Sequence, residues 1–410
     1  MNKIYGVILG RSSLLSTAEV LSRSNNSAKI VAWDREFCMF EGCDISQSLQ
    51  NMGGVQKYFE VLRIVDKEKI IENVKEIVGE ITDYEGGSGK YPYAINVYGM
   101  YKKYQKPLLQ EIKNLLEQKG IKARFIHRDM NKNAPTARLL SEKVIQKGFE
   151  LILCQKGQDI FIGRSMWIQN INEYTKRDMD KPVRDMHTGM LPPKLAQIMI
   201  SLLSPYITKE TVLWDQFCGS GVLLMEALRE RVKIIGSDIE EGMVEKSKQN
   251  VDWYKRLLGT GHTCEFIVAD ATKPEIYQEM QGKYEKLCIC TEGYLGKNFT
   301  HAPRKEDFFV EKKKLEEIYF DLVFAMKNGL KLGTVVCLLI PFYPSLKQEG
   351  RLTSVLTSIQ KVGGMILPLV PKELYHRMDR RETHEYTYEQ TYLYSREDQF
   401  VGREIVLFML

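Results

Sequence analysis

No CxxC pair occurs among the eight cysteines of this 410-residue chain, and its six histidines never fall in an HxxxH spacing. A zinc ribbon, a thioredoxin-like site and a two-histidine helical metal site therefore lack their ligands, so no metal is expected. Long apolar runs are missing as well. The longest candidate, Thr334 to Phe342, falls far short of the roughly 20 residues that cross a bilayer and reads as one buried strand. The N-terminal MNKIYGVILGR offers neither a signal-type apolar core nor a small-residue cleavage site. No membrane association is expected, and reduced cysteines in a cytoplasmic protein are the simple reading. Most of the cysteines sit in apolar runs, where the thiol behaves as a small hydrophobe. With 44% hydrophobic and 27% charged residues the chain is not globally disordered, and its length predicts two or three domains.

The first 60 residues alternate strand and helix cues. Ile4 to Leu9 and Ala28 to Trp33 read as strands, Ser16-Thr17-Ala18-Glu19 as a capping box opening a helix, and Gly53-Gly54 as a turn before Val55 to Leu62. A second stretch, 63–165, repeats the style. It has a helix over Lys67 to Val78, a strand over Tyr93 to Tyr98, a helix over Pro107 to Lys119 closed by Gly120, and a helix near Thr136 to Lys147. Strands Ala123 to Ile126, Glu150 to Cys154 and Asp159 to Gly163 complete it. Between Met100 and Lys147 there are twelve basic and four acidic residues, net +8 in a chain whose total is +5. Such concentration is the electrostatic footprint of a polyanion binder. A solvated lysine-rich face has the same composition, and charge alone leaves both readings open. Tyr386, Tyr388, Tyr392 and Tyr394 are spaced as one aromatic face of a strand.

Residues 166–188 read as a linker, after which strands and helices alternate at the long spacing of a parallel sheet. The informative segment is TVLWDQFCGSGVLLMEAL, residues 211–228: an apolar strand ending in an acid, a glycine turn and an amphipathic helix. Gly219 and Gly221 permit close backbone approach to a ligand. A dinucleotide fingerprint requires a third glycine where Leu224 stands, and an acid directly before the turn suits a cationic small ligand better than a pyrophosphate. The next strand-like runs end at Asp238, Asp270 and Glu292. Open α/β sheets bind ligands at the carboxyl ends of their strands, and four acids in register are hard to ascribe to turn chemistry.

DQFCGSG, then SDI, VADA and an acidic fourth strand end, resembles the class I S-adenosylmethionine-dependent methyltransferases. GMLPPKLAQIMISLL resembles the helix entering the cofactor pocket of amino-methyltransferases. YGVILGR with STAE, NMGGVQKYFEVL, FIGRSMWIQNINEYTKRDMDKPVRD and SREDQFVGREI extend the similarity to the THUMP-domain tRNA guanosine-N2 methyltransferases of the archaeal and eukaryotic guanosine-10 type. The resemblance implies an α/β chain in which a ferredoxin-like domain (1–62) and a THUMP RNA-binding domain (63–165) precede the linker and a Rossmann-like methyltransferase domain (189–410). It implies S-adenosylmethionine as cofactor and tRNA as partner, and it leaves room for a small activating protein. Asp215, Phe217, Gly219 and Gly221 would line the methionine side of the cofactor, Asp238 would hold the ribose and Asp270 the adenine amino group, with Ile239 and Ala271 also in the cofactor site. Lys102, Lys103, Arg124, Arg128, Lys132 and Arg138 would contact RNA, mainly through backbone and shape.

At the fourth strand end this sequence departs from the family, which carries an acid-Pro-Pro-aromatic motif. Here stand Glu292-Gly293-Tyr294-Leu295, followed by the expected Gly296. An exocyclic guanine amine is a poor nucleophile because its lone pair is delocalised into the ring. The motif's oxygens accept its hydrogens, and the aromatic ring stacks the base. Glu292, Gly293 and Tyr294 are the catalytic candidates. Three readings stand open: the same amine methylation with rearranged geometry, a pocket rebuilt for another nucleoside or atom, or a tRNA-binding protein that is non-catalytic without a partner. A DNA amino-methyltransferase would leave the basic half without a purpose.

Overall fold

Strand-forming runs rich in Val, Ile, Tyr and Phe build two eight-stranded sheets, one in each of two units. In this computed structural model the described residues are 3–82, 90–99, 104–184, 190–230, 232–297, 299, 301–377, 385–396 and 399–410. The first unit comprises Met1–Val20, Asn26–Gln50 and Gly54–Asn172; the second comprises Leu21–Asn25, Asn51–Gly53 and Glu173–Leu410.

The first unit holds β1 (Ile4–Leu9), α1 (Ser13–Arg23), β2 (Lys29–Trp33), β3 (Phe37–Glu41), β4 (Val55–Asp66), α2 (Ile70–Ile81), β5 (Tyr91–Tyr98), α3 (Gln105–Gln118), β6 (Ala123–Phe125), α4 (Thr136–Ser141), α5 (Val144–Lys147), β7 (Phe149–Lys156) and β8 (Asp159–Ile168). Its strand order is β2-β3-β1-β4-β8-β7-β5-β6. The boundary expected at 62/63 falls inside β4, whose 12 residues pair with β1 at one end and along β8 over their whole length. Both expected halves therefore share one sheet. Helix α2 buries Ile70, Val74, Ile77 and Val78, the 3.6-residue stripe of a one-sided helix. Across the sheet Glu150 is fully buried, paired with Lys57 and accepting from Asn96 Nδ2 (2.5 Å) and Ser165 Oγ (2.6 Å).

Two local expectations are corrected here. The capping-box residues lie inside α1, which starts at Ser13. Ser16 and Thr17 donate back to Ser12 and Ser13 carbonyls (both 2.9 Å), and buried Glu19 accepts the Gly54 N–H (2.8 Å). The single helix expected near Thr136 to Lys147 is two, broken at Lys143 with φ +52°. Leu139 and Val144 both enter one apolar cluster, yet five residues on a straight helix differ by roughly 140° in direction, so the chain turns between them.

The second unit carries α6 (Ile171–Met179), most of which belongs to this unit and which falls in the stretch expected to be a linker. It continues with α7 (Pro193–Leu202), β9 (Thr211–Asp215), α8 (Val222–Ala227), β10 (Lys233–Asp238), α9 (Glu241–Leu258), β11 (Cys264–Val268), α10 (Pro274–Lys283), β12 (Lys286–Glu292) and α11 (Lys305–Gly329). Then come β13 (Val335–Phe342), α12 (Thr353–Lys361), β14 (Met365–Ile366), α13 (Lys372–Arg377), β15 (Tyr392–Tyr394) and β16 (Gly402–Met409). The order is β11-β10-β9-β12-β13-β16-β14, with β9 to β13 parallel and β16 antiparallel to β13; β15 pairs with β16. Helices α10, α11 and α12 cover one face through a core that includes Trp214, Tyr277, Leu322 and Ile359. Of the four spaced tyrosines only Tyr392 and Tyr394 share a strand. Gln390 at φ +67° turns the chain, Tyr386 meets Tyr392 in an isolated bridge, and Tyr388 is 98% exposed.

Candidate active site

The strand order reverses at β9, with β10 on one side and β12 on the other, and in an open parallel sheet ligands bind at the carboxyl ends of the strands at such a point. A cavity of about 800 Å³ opens at these carboxyl ends, a size typical of small-ligand sites. Phe217, Asp238, Ile239, Asp270, Ala271, Glu292, Gly293 and Tyr294 all line it.

The loop after β9 is held from beneath. Asp215 is buried and accepts the Thr291 hydroxyl (2.7 Å), while the same hydroxyl oxygen accepts the Phe217 N–H (3.2 Å). This clasp joins the ends of β9 and β12 and fixes Phe217. Burial pushes the Asp215 carboxyl up to about 7 against the opposing effect of Thr291. Gly221 has φ +81°, and a Cβ there would lie 2.5 Å from Ser247 Oγ, so α9 packs against the turn only because no side chain intervenes. Asp215, Gly219 and Gly221 do not themselves line the cavity; they hold the loop that does.

Asp238 ends β10 and accepts two backbone N–H groups, Gly219 on Oδ2 and Glu240 on Oδ1 (both 3.0 Å). Each carboxylate oxygen keeps a second acceptor site, so hydroxyl donors remain accommodated. Next to it Ile239 is 64% exposed, an apolar surface open to a flat ring. Asp270 receives Thr272 N–H (2.9 Å) and hydroxyl (2.7 Å) on Oδ1, and the Ala271 carbonyl accepts Tyr277 O–H (2.7 Å).

Glu292 ends β12, and its Oε1 accepts from Arg403 Nε at 2.6 Å. Arg403 is 1% exposed and stands on β16, two strands away across β13. Two strand spacings are about 10 Å, which the long guanidinium arm and the longer of the two acidic side chains span together. Burial raises the Glu292 carboxyl, and Arg403 pulls it back. Gly293 donates its N–H to Leu339 O (3.1 Å), and a Cβ on it would lie 2.3 Å from Tyr319 Oη. Tyr319, fully buried on α11, is also placed to donate to the Tyr294 carbonyl (3.1 Å). The Tyr294 ring is 48% exposed.

These features have counterparts among known proteins. A family model described as DNA methylase matches residues 48–249, just under half of the chain and ending before Glu292. A tRNA (guanine(10)-N2)-dimethyltransferase of Pyrococcus abyssi is 30% identical over 39% of this chain and 46% of its own length. One of the same name from Methanothermobacter thermautotrophicus is 28% identical over 39% and 41%. The chain is thus similar, over about two fifths of its length, to tRNA (guanine(10)-N2)-dimethyltransferases. It spans less than half of the length of these curated relatives. The crystal structure of TrmN from Thermus thermophilus superposes with a TM-score of 0.53 over 99% of this chain and 100% of that one at 12% identity, which shows a shared fold.

At the fourth strand end the sequence offers Glu292, Gly293 and Tyr294 as candidates but not the residues that hold them. Arg403 lies in SREDQFVGREI, where nothing local marks one arginine as partner to an acid more than a hundred residues away. Thr291 and Tyr319 are equally silent, one a strand threonine and the other a core tyrosine on a helix. Of the RNA candidates, Lys102 and Lys103 lie outside the described residues. Arg124 pairs with Glu142, Lys132 stands 3.8 Å from Asp129, Arg128 is exposed and Arg138 half-buried.

Proposed function

We propose that this protein transfers a methyl group from S-adenosylmethionine to the exocyclic N2 amine of a guanosine in tRNA. The observation that carries this reading is the single cavity joining Asp238, Ile239 and Asp270 to Glu292 and Tyr294, a cofactor-type wall beside an acid and an exposed ring. The donor set fits the cofactor. Asp238 holds acceptor capacity for ribose hydroxyls, Ile239 an apolar face for adenine, Asp270 a carboxylate for its amine, and Phe217 a wall for the methionine end, with Asp215, Gly219 and Gly221 as its scaffold.

When bound, S-adenosylmethionine supplies an electrophilic methyl carbon. Glu292, whose Oε1 is held by Arg403, would accept a hydrogen of the guanine amine and so orient the nitrogen lone pair for methylation. The N–C bond would form as the methyl's bond to the sulfonium sulfur breaks, leaving a neutral thioether, and the proton shed by nitrogen would pass to Glu292 or to water. Tyr294 covers the base from one position earlier than the family's aromatic. Preorganised polar groups of this type carry factors of about 100 to 1,000 in rate.

The basic stretch of the first unit, with Arg124, Arg128, Lys132 and Arg138, is the proposed tRNA grip, and the sequence adds Lys102 and Lys103 to it. On this reading the ferredoxin-like and THUMP portions meet within β4 and together make up the sheet of the first unit. Among the described residues no helix is long and apolar enough to cross a membrane, and we place the reaction in the cytoplasm. Incubation with unmodified tRNA transcripts and methyl-labelled cofactor, followed by nucleoside mass spectrometry, tests the assignment. Label is expected in N2-methylguanosine, with Glu292→Ala reducing it about 100-fold. Label in another nucleoside, or full activity of that variant, would overturn the assignment.

A further inference from the structure

Four aromatic rings line the cavity among the described residues: Phe217, Tyr294, Phe299 and Phe400. Phe217 and Phe299 pack against the apolar core of the second unit, whereas Tyr294 and Phe400 stand open, 48% and 40% exposed. Phe400 sits on a firmly anchored segment. Val401 packs against the core, and Gly402 pairs with Phe342, with its Cβ position only 2.3 Å from that ring. Arg403 is buried, with Nε on Glu292 and Nη1 on Gln399 Oε1 (3.1 Å). Three residues of extended chain reach about 10 Å at most, so the ring is held within one nucleobase length or so of the anchor on the candidate acid.

We propose that Phe400 is a substrate-positioning residue whose ring stacks on the face of the target nucleobase, while Arg403, three residues later, fixes the Glu292 carboxylate that meets the base edge. The segment entering β16 thereby supplies both a stacking surface and the brace for the acid. Leu295 offers no ring, and Phe400 brings one from the segment that leads into β16. This assignment rests on the methyl-transfer reading above in taking a nucleobase as the occupant. It does not depend on which nucleobase, since every base presents a π-face to a ring.

The test uses the full chain, unmodified tRNA transcripts and methyl-labelled S-adenosylmethionine, with Phe400→Ala, Phe400→Leu and Phe400→Tyr. Loss of one base–aromatic stack predicts a fall in kcat/KM of about 5- to 150-fold for the Ala and Leu variants. The Tyr variant should stay within about threefold of the parent, because the ring is retained. S-adenosylhomocysteine affinity by calorimetry and Tm should be unchanged in all three. Leu keeps the apolar bulk without the ring, so a Leu variant as active as the Tyr variant would overturn the stacking role, as would full activity of the Ala variant. If the parent labels a nucleoside other than N2-methylguanosine and the Ala variant still loses that activity, the guanosine reading fails and the Phe400 assignment stands. Full Ala-variant activity beside N2-methylguanosine product fails the Phe400 assignment alone. A parent that labels no nucleoside overturns both.

Discussion

Asp215 shows how one buried acid couples the site to pH. Its carboxyl, ordinarily near 3.8, is pushed to about 7 by burial. Between those values the folded chain keeps a proton that the unfolded chain has released, so stability falls as pH rises through this window. The penalty is complete above pH 7, at most about 4 kcal/mol. Asp215→Asn still accepts the Thr291 hydroxyl but cannot ionise. Its Tm should therefore gain on the parent between pH 5 and pH 8, measured calorimetrically at both; a constant difference would show that the carboxyl does not titrate there. At Gly293 the constraint is steric instead. Alanine places a Cβ 2.3 Å from a fully buried phenol, so Gly293→Ala should cost about 1–3 kcal/mol, read as a shift in the urea unfolding midpoint. The same contact explains why glycine suits this strand end: Tyr319 occupies the space that a second ring or side chain would need.

At the scale of elements, most strands and helices are legible because period and punctuation agree. Tyr93 to Tyr98 and Glu150 to Cys154 are runs buried on both faces and apolar apart from Asn96 and Glu150, and Gly120 at φ +76° follows α3 as a helix-terminating glycine should. What escaped has nonlocal causes. The break at Lys143 follows from the packing of Leu139 and Val144 together, and the turn at Gln390 from closing a hairpin, neither of which alters the composition of the segment. The strand-end acids could be read one by one, whereas the brace between Glu292 and Arg403 exists only once β16 is laid beside β13. That brace ties two nonadjacent strands through a desolvated pair. Removing one charge should cost about 3–5 kcal/mol, so Arg403→Met is expected to be strongly destabilised and the double variant Arg403→Met with Glu292→Gln to recover most of the loss. Equal unfolding midpoints for the parent and the single variant would show that the pair is solvated.

For the whole molecule, net charge is a poor guide because +5 averages a basic stretch against a slightly acidic remainder. The structure refines that stretch further, since Arg124 already has Glu142 as a partner and Arg128 is exposed on a loop. A backbone grip on RNA predicts two linked observations. Arg128→Ala and Lys132→Ala should each weaken tRNA binding about equally for different tRNAs, and each should lower the slope of log affinity against log salt by about 1, one phosphate contact apiece. Arg124→Ala should change the slope less, because its charge is partly neutralised by Glu142. None of the three should affect S-adenosylhomocysteine affinity, since the cavity is built wholly from residues of the second unit. Filter binding across a salt series decides the matter. A slope unchanged in Arg128→Ala and Lys132→Ala would make the basic stretch a solvated face and move the tRNA contact elsewhere on the chain.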